Sequence, residues 1–353
     1  MKEKMKAILE KYLIEGLSGM ALGLFATLIV GLIIKQLGAL TGIDFLVWMG
    51  TFASVLTGAG IGIGVANKFK AKPLVLYASA ASGFIGGYAK FILSGASFND
   101  GAVVLIGPGE PLGAFIAAVV GIEVGSRIVG KTKIDMLLTP MAVIITGGGV
   151  GLLIGPYISA FMAWIGTLIM VATDQAPFVM GILVSTMMGM LLTMPISSAA
   201  LSIILGLNGL AAGAATVGCS TQMVGFAVAS YRENKTSGLI AQGLGSSMLQ
   251  VPNIVRNPRI WIPPTLASAI LGPISTIVFK MTNNAYGGGM GTSGLVGQLM
   301  TWQNMSMDRG ALILATQIIL LHFILPAGLT LFISEMMRKK QWIRLGDMAL
   351  ETK

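Results

Sequence analysis

Glu110 stands in a run of turn formers, Gly107-Pro108-Gly109-Glu110-Pro111, between two apolar stretches. A carboxylate there can accept hydrogen bonds from two hydroxyls of a carbohydrate, and charged acceptors form the stronger bonds. The flanking glycines let backbone approach a ligand closely. The competing reading is a solvated loop acid. The Gly-x-Gly here does not follow a strand, so a dinucleotide-binding reading fails its context.

Uncharged polar residues cluster in two further stretches. Asn208, Ser220, Thr221 and Gln222 interrupt the long apolar run from Met194 to Ser230, and Gln242, Ser246, Ser247, Gln250 and Asn253 lie in the stretch that follows. Thr292 and Ser293 sit in a third, glycine-rich stretch. Such groups satisfy backbone freed by broken helices. They also suit a neutral, polyhydroxylated or amide-bearing ligand, because amides and hydroxyls both donate and accept. Asn208, Gln222, Gln250, Asn253, Thr292 and Ser293 join Glu110 as the expected substrate-binding residues.

The remaining reactive groups read as structural. Glu123 and Arg127 are spaced as an i,i+4 ion pair, and Arg127 can snorkel toward the membrane surface. Intramembrane charge is costly, so an ion-handling role is the alternative for this pair. His322, the sole histidine, lies in Ile-Leu-Leu-His-Phe-Ile-Leu-Pro and reads as a buried, hydrogen-bonded side chain. Cys219, the sole cysteine, reads as a small packed residue and excludes an internal disulfide. Zinc lacks neighbouring ligands. No catalytic residues, metal or cofactor are expected, because no nucleophile–base pair is visible.

The elements that must position these residues are apolar and interrupted. Of 353 residues, 54% are hydrophobic and 10% charged. Soluble domains carry roughly 25% charged residues, so the chain reads as an all-α polytopic membrane protein. Spans are expected at Leu17–Leu37, Phe45–Ala66, Leu74–Leu93, Leu112–Val129, Met136–Ile154, Ile158–Val171, Phe178–Leu192, Thr265–Phe279 and Ala311–Ile333. The run Met194–Ser230 is broken at Asn208-Gly209. Together these give about 10 transmembrane helices, within a range of about 8 to 12, with broken or re-entrant segments. The upper count requires Leu239–Val251 to cross as well. Discontinuous helices are the sequence pointer to a transporter's binding site.

The 48 glycines recur in three sites, Thr-Gly-Ala-Gly-Ile-Gly-Ile-Gly from Thr57, Thr-Gly-Gly-Gly-Val-Gly from Thr146, and Gly-Gly-Gly-Met-Gly-Thr-Ser-Gly from Gly287. The segment from Lys72 to Gly87 loosely echoes that from Ile262 to Pro273, which suggests an internal repeat. The net charge is +9. Its basic residues fall in short loops and at the two ends, the distribution of the positive-inside rule, and no DNA-reading module is visible. Direct nucleic-acid binding is therefore rejected. The clusters share one side if both termini are cytoplasmic. The organisation expected is a cytoplasmic amphipathic lead-in (1–16) without a cleavage site, a transmembrane domain (17–336) and a basic cytoplasmic tail (337–353).

Several long blocks carry a resemblance. They are GPGEPLGAFIAAVVGIE from Gly107, MPISSAALSIILGLNGLAAGAATVGCSTQMVGFAV from Met194, GLIAQGLGSSMLQVPNIVRNPRIWIPPTLASAILGP from Gly238 and GGGMGTSGLVGQ from Gly287. In these the chain resembles, over nearly its whole length, a bacterial family of enzyme-IIC-like phosphotransferase-system components, also described as toxin-regulator membrane proteins. The resemblance implies a homodimeric permease in the bacterial cell membrane that moves a sugar inward and hands it to a separate phosphorylated IIB-type carrier. It also implies a sugar-binding glutamate in a Gly-Ile-Thr-Glu-Pro-like motif. Here Gly107 to Pro111 keeps the ends of that motif and lacks its Ile-Thr, so Glu110 corresponds in part. Any enzymatic role is at most that of the membrane component.

Two functional readings follow. One is a permease for a small polar solute, a sugar, working by alternating access. The other is a membrane sensor that binds a ligand and signals through a cytoplasmic partner.

Overall fold

Small residues decide how these helices meet. The computed structural model describes residues 10–99, 102–105, 107–173, 175–306 and 309–350. It divides into two units, Met1–Phe161 and Met162–Lys353. Helices dominate, and the one sheet among the described residues is a hairpin pairing Phe98–Asn99 with Ala102–Val103. Six helices are long and apolar enough to cross a membrane: Glu10–Ala39, Pro111–Ile128, Asp135–Ile158, Gly209–Ala229, Pro258–Val278 and Ala311–Lys339. A pair of helices bent by 53°, Asp44–Val55 and Thr57–Lys68, is apolar enough to count as a seventh span or to form a re-entrant loop, and Pro73–Gly87 and Pro177–Thr193 are shorter apolar helices. The chain is an all-α polytopic membrane protein with broken helices.

In the first unit, the helix Glu10–Ala39 packs on Thr57–Lys68 through two Gly-x-x-x-Gly pairs, Gly19 with Gly23 and Gly60 with Gly64. A Cβ added to Gly23 would lie 2.1 Å from the Gly60 carbonyl oxygen, and one on Gly64 would lie 2.1 Å from that of Gly19. Lipid gives apolar side chains no drive to associate, so close backbone packing has to supply the attraction. The glycine runs from Thr57 and Thr146 lie inside two of the expected spans. Both are helical, lying within Thr57–Lys68 and Asp135–Thr173. Their glycines serve close approach, except Gly149, where an added Cβ would meet nothing within 4 Å.

Three expected boundaries shift. The second predicted span bends by 53° between Asp44–Val55 and Thr57–Lys68. The predicted break at Pro156 is absent, because one helix, Asp135–Thr173, runs through Pro140 and Pro156. A proline removes one backbone donor but leaves the rest of a long apolar helix intact. Leu239–Val251 is no long helix: it contains a π turn, Ala241–Gly245, and a 3-10 turn, Ser247–Gln250.

In the second unit, the helix Gly209–Ala229 is nearly all buried. Three backbones meet at its middle. The Ser185 hydroxyl donates to the Ser268 carbonyl at 2.7 Å, and the Ser268 hydroxyl lies 3.3 Å from the Gly218 carbonyl oxygen. A Cβ on Gly218 would lie 1.9 Å from the Ser185 carbonyl oxygen. The expected break precedes this helix. Ser198–Ile204 ends, Asn208 is extended, and Gly209 adopts φ +57° before the new helix begins. The freed Gly209 carbonyl accepts from the Asn283 N–H at 3.2 Å.

Candidate functional site

Glu110 caps the start of Pro111–Ile128, with Pro111 in the first helical position. Gly107 and Gly109 have φ of +66° and +77°, conformations that suit glycine. The turn is tied down twice: the Glu110 N–H donates to the Gly87 carbonyl at 2.8 Å, and the Tyr88 hydroxyl donates to the Gly107 carbonyl. The Glu110 side chain makes no capping hydrogen bond to the helix and lies within reach of the Lys90 charge. The residue as a whole is half-buried, yet its Oε1 is enclosed and has no hydrogen-bond partner. Just outside the helix, the carboxyl is pushed up to about 7 by burial.

The other expected pair in the first unit has a different geometry. Glu123 forms its ion pair with Lys11 of the first helix, 112 residues earlier. The Tyr12 hydroxyl also bonds Glu123. Local i,i+4 spacing to Arg127 carries no trace of this long-range pairing.

In the second unit Gln222 is a hub. Its Oε1 accepts from the Trp261 indole N–H at 3.2 Å and from the Thr193 hydroxyl at 3.2 Å, and its amide donates to the Thr265 hydroxyl oxygen at 3.1 Å. Thr193 also bonds Ser247 at 2.8 Å. Sequence reasoning found Gln222 and missed Thr193, Trp261 and Thr265. They lie 29 to 43 residues from Gln222, too far apart for any helical spacing to link them.

Gln250 and Asn253 lie together, as expected, but face the chain's own C-terminal segment. Gln250 donates to Gln242 at 2.8 Å and to the Met348 carbonyl at 2.9 Å. Asn253 donates to Gln250 at 2.8 Å and to the Ala349 carbonyl at 2.9 Å. Asn208 is exposed, and its role in the break is that of an extended residue ahead of Gly209. Thr292 and Ser293 occupy the one glycine run that is irregular. Thr292 donates to the Gly243 carbonyl at 2.5 Å, and the Ser293 hydroxyl is buried without a partner.

Cys219 is buried, as expected, and so is His322. The His322 Nδ1 lies 3.1 Å from the Gln298 side-chain nitrogen, which is itself 3.2 Å from the Ser220 hydroxyl. Gln298 was not foreseen. Its signal is weak in sequence, one amide just after a glycine run. Among the described residues no group of three or more His, Cys, Asp or Glu could hold a metal.

In the second unit the amides, hydroxyls and one indole offer neutral donors and acceptors, and in the first unit Glu110 offers one enclosed carboxyl oxygen. The family model described as "Phosphotransferase system, EIIC" matches residues 14–350. No curated protein and no solved structure gives a match. Matched along nearly all of its length, and built of long apolar helices with broken segments, this chain belongs to the phosphotransferase system EIIC family.

Proposed function

We propose that this membrane sugar-transport component is a permease that moves a small polar solute, a sugar, across the bilayer by alternating access. The observation that carries the reading is Glu110: an enclosed carboxyl oxygen without a protein donor, held in a doubly anchored turn at the head of a membrane helix. A carboxylate accepts strong hydrogen bonds from vicinal hydroxyls. Gln222, Thr292 and Ser293 supply further neutral polar contacts in the second unit, beside the broken segments that would move. Gln250 and Asn253 direct their amide hydrogens to the tail and are left out of the solute site.

The solute would pass to a separate IIB-type carrier for phosphorylation, because this chain's one cysteine is buried and offers no phosphocysteine. The protein would work as a homodimer in a bacterial inner membrane, with both termini, the lead-in and the basic tail on the cytoplasmic side. Uptake of radiolabelled monosaccharides and polyols into proteoliposomes tests the reading. Accumulation by the wild type, reduced at least tenfold in Glu110→Gln, is expected. Uptake identical in the two proteins for every sugar removes Glu110 from the site, and no uptake at all removes the permease reading.

A further inference from the structure

His322 is the chain's sole histidine, and it sits in a π turn, Leu320–Ile324, inside the membrane helix Ala311–Lys339. Eleven residues separate it from the start of that helix, which places it about 16 Å in, near the middle of a bilayer core about 30 Å thick. π turns re-aim side chains and gather at functional sites. His322 is fully buried and Gln298 is 7% exposed. Both keep an enclosed polar atom without a hydrogen-bond partner, Nε2 of the imidazole and Oε1 of the amide.

The bond between them fixes what those two atoms can do. Gln298 donates toward His322 Nδ1, so Nδ1 carries the lone pair and Nε2 carries the hydrogen. The pair therefore leaves one donor, Nε2–H, and one acceptor, Gln298 Oε1, without a protein partner. Exchanging the two ends of the amide reverses the roles and leaves one donor and one acceptor again. A hydroxyl group is both at once. Ser220 anchors the arrangement from the central helix, through its bond with Gln298. The glycine run lies against the same serine, since a Cβ on Gly291 would come within 2.9 Å of the Ser220 backbone nitrogen. Among the described residues no charged side chain is hydrogen-bonded to His322, Gln298 or Ser220, which disfavours a phosphate or a carboxylate ligand.

We infer that His322 and Gln298, braced by Ser220, form a site that binds one hydroxyl group of a neutral polyol or sugar in the second unit. This rests on the sugar-transport reading but names different residues from Glu110. The sole histidine makes the test selective. Protein labelled with 15N-histidine, purified without a histidine tag in phosphatidylglycerol–phosphatidylethanolamine nanodiscs, carries a single imidazole. D-glucose, D-mannitol and N-acetyl-D-glucosamine are each titrated by calorimetry and by nitrogen NMR.

A bound sugar is expected to shift the Nε2 resonance, and Gln298→Leu is expected to weaken its binding at least tenfold. Sugar binding in calorimetry with an unmoved imidazole resonance overturns the His322 site and leaves the permease reading standing. No binding of any of the three sugars overturns both. The resonance is read on the wild type, so the test holds even if Gln298→Leu fails to fold.

Discussion

The side-chain amide of Gln250 donates to the main-chain carbonyl of Met348, 98 residues later, at 2.9 Å. The same carbonyl accepts from Asn234 at 2.8 Å, and the Met348 side chain is buried in a cluster with Phe226, Ala229, Ile260, Met337 and Ile343. The basic tail thus belongs to the core of its unit. Met348→Ala should cost about 2–5 kcal/mol, the range for emptying a packed site of a large apolar side chain. Thermal unfolding in detergent checks this. A melting temperature equal to wild type would mean that the tail merely rests on the surface. Deleting residues 341–350 should destabilise more than Met348→Ala, so its effect on any signalling must be read against stability.

A second prediction concerns the glycine pairs of the first unit. Gly23→Ala places a methyl group 2.1 Å from the Gly60 carbonyl oxygen, where neither backbone has a flexible side chain to yield. Overpacking of this kind costs about 1–3 kcal/mol or more. Gly149→Ala, where an added Cβ meets nothing within 4 Å, is the control. Equal melting temperatures for the two variants would show that the helices separate without penalty.

Glu110 gives a pH dependence. Its carboxyl is raised from the ordinary 4.5 to about 7, so the folded protein holds a proton that the unfolded chain has already released. Stability should therefore fall as pH rises from about 4.5 to about 7 and level off above that. Glu110→Gln should remove this slope. Sugar binding that uses the carboxylate should weaken below pH 7 in the wild type and stay flat in the variant. Parallel melting and binding curves from pH 5 to 8 check both signs. Curves of equal slope in the two proteins would contradict the burial argument.

Gln222→Leu would take away the partner of the Trp261 indole N–H and of the Thr265 hydroxyl, while Thr193 keeps its bond to Ser247. Each buried polar group left unpaired costs about 1–3 kcal/mol. The expected outcome is a lowered melting temperature together with a shifted Trp261 emission. Reading Trp261 as the difference from a Trp261→Phe protein isolates its signal among the five tryptophans.

Much of this was legible from local pattern. The charge deficit alone gives the membrane class, and the apolar run beginning at Leu112 gives a helix that the structure places at Pro111–Ile128. The break at Asn208-Gly209 is visible because glycine admits the positive φ that a turn needs. The bend between Val55 and Thr57 carries no proline to announce it. The unbroken helix through Pro156 shows the opposite case, a breaker overruled by its surroundings. Gln222, Gln250 and Asn253 were recognisable as costly intramembrane amides, but each also has partners 29 to 98 residues away. Only the folded chain reveals which amide meets a hydroxyl and which meets the tail.

Ser185, Gly218 and Ser268 are locked together, the Gly218 backbone against the Ser185 carbonyl oxygen and two serine hydroxyls bonded to carbonyls of the neighbouring helices. Segments fitted that tightly cannot slide past one another by small steps. They form a chassis, and in the proposed transport cycle any shift of this unit would pivot at joints such as Gly209 and Gly291, where the helices are already interrupted.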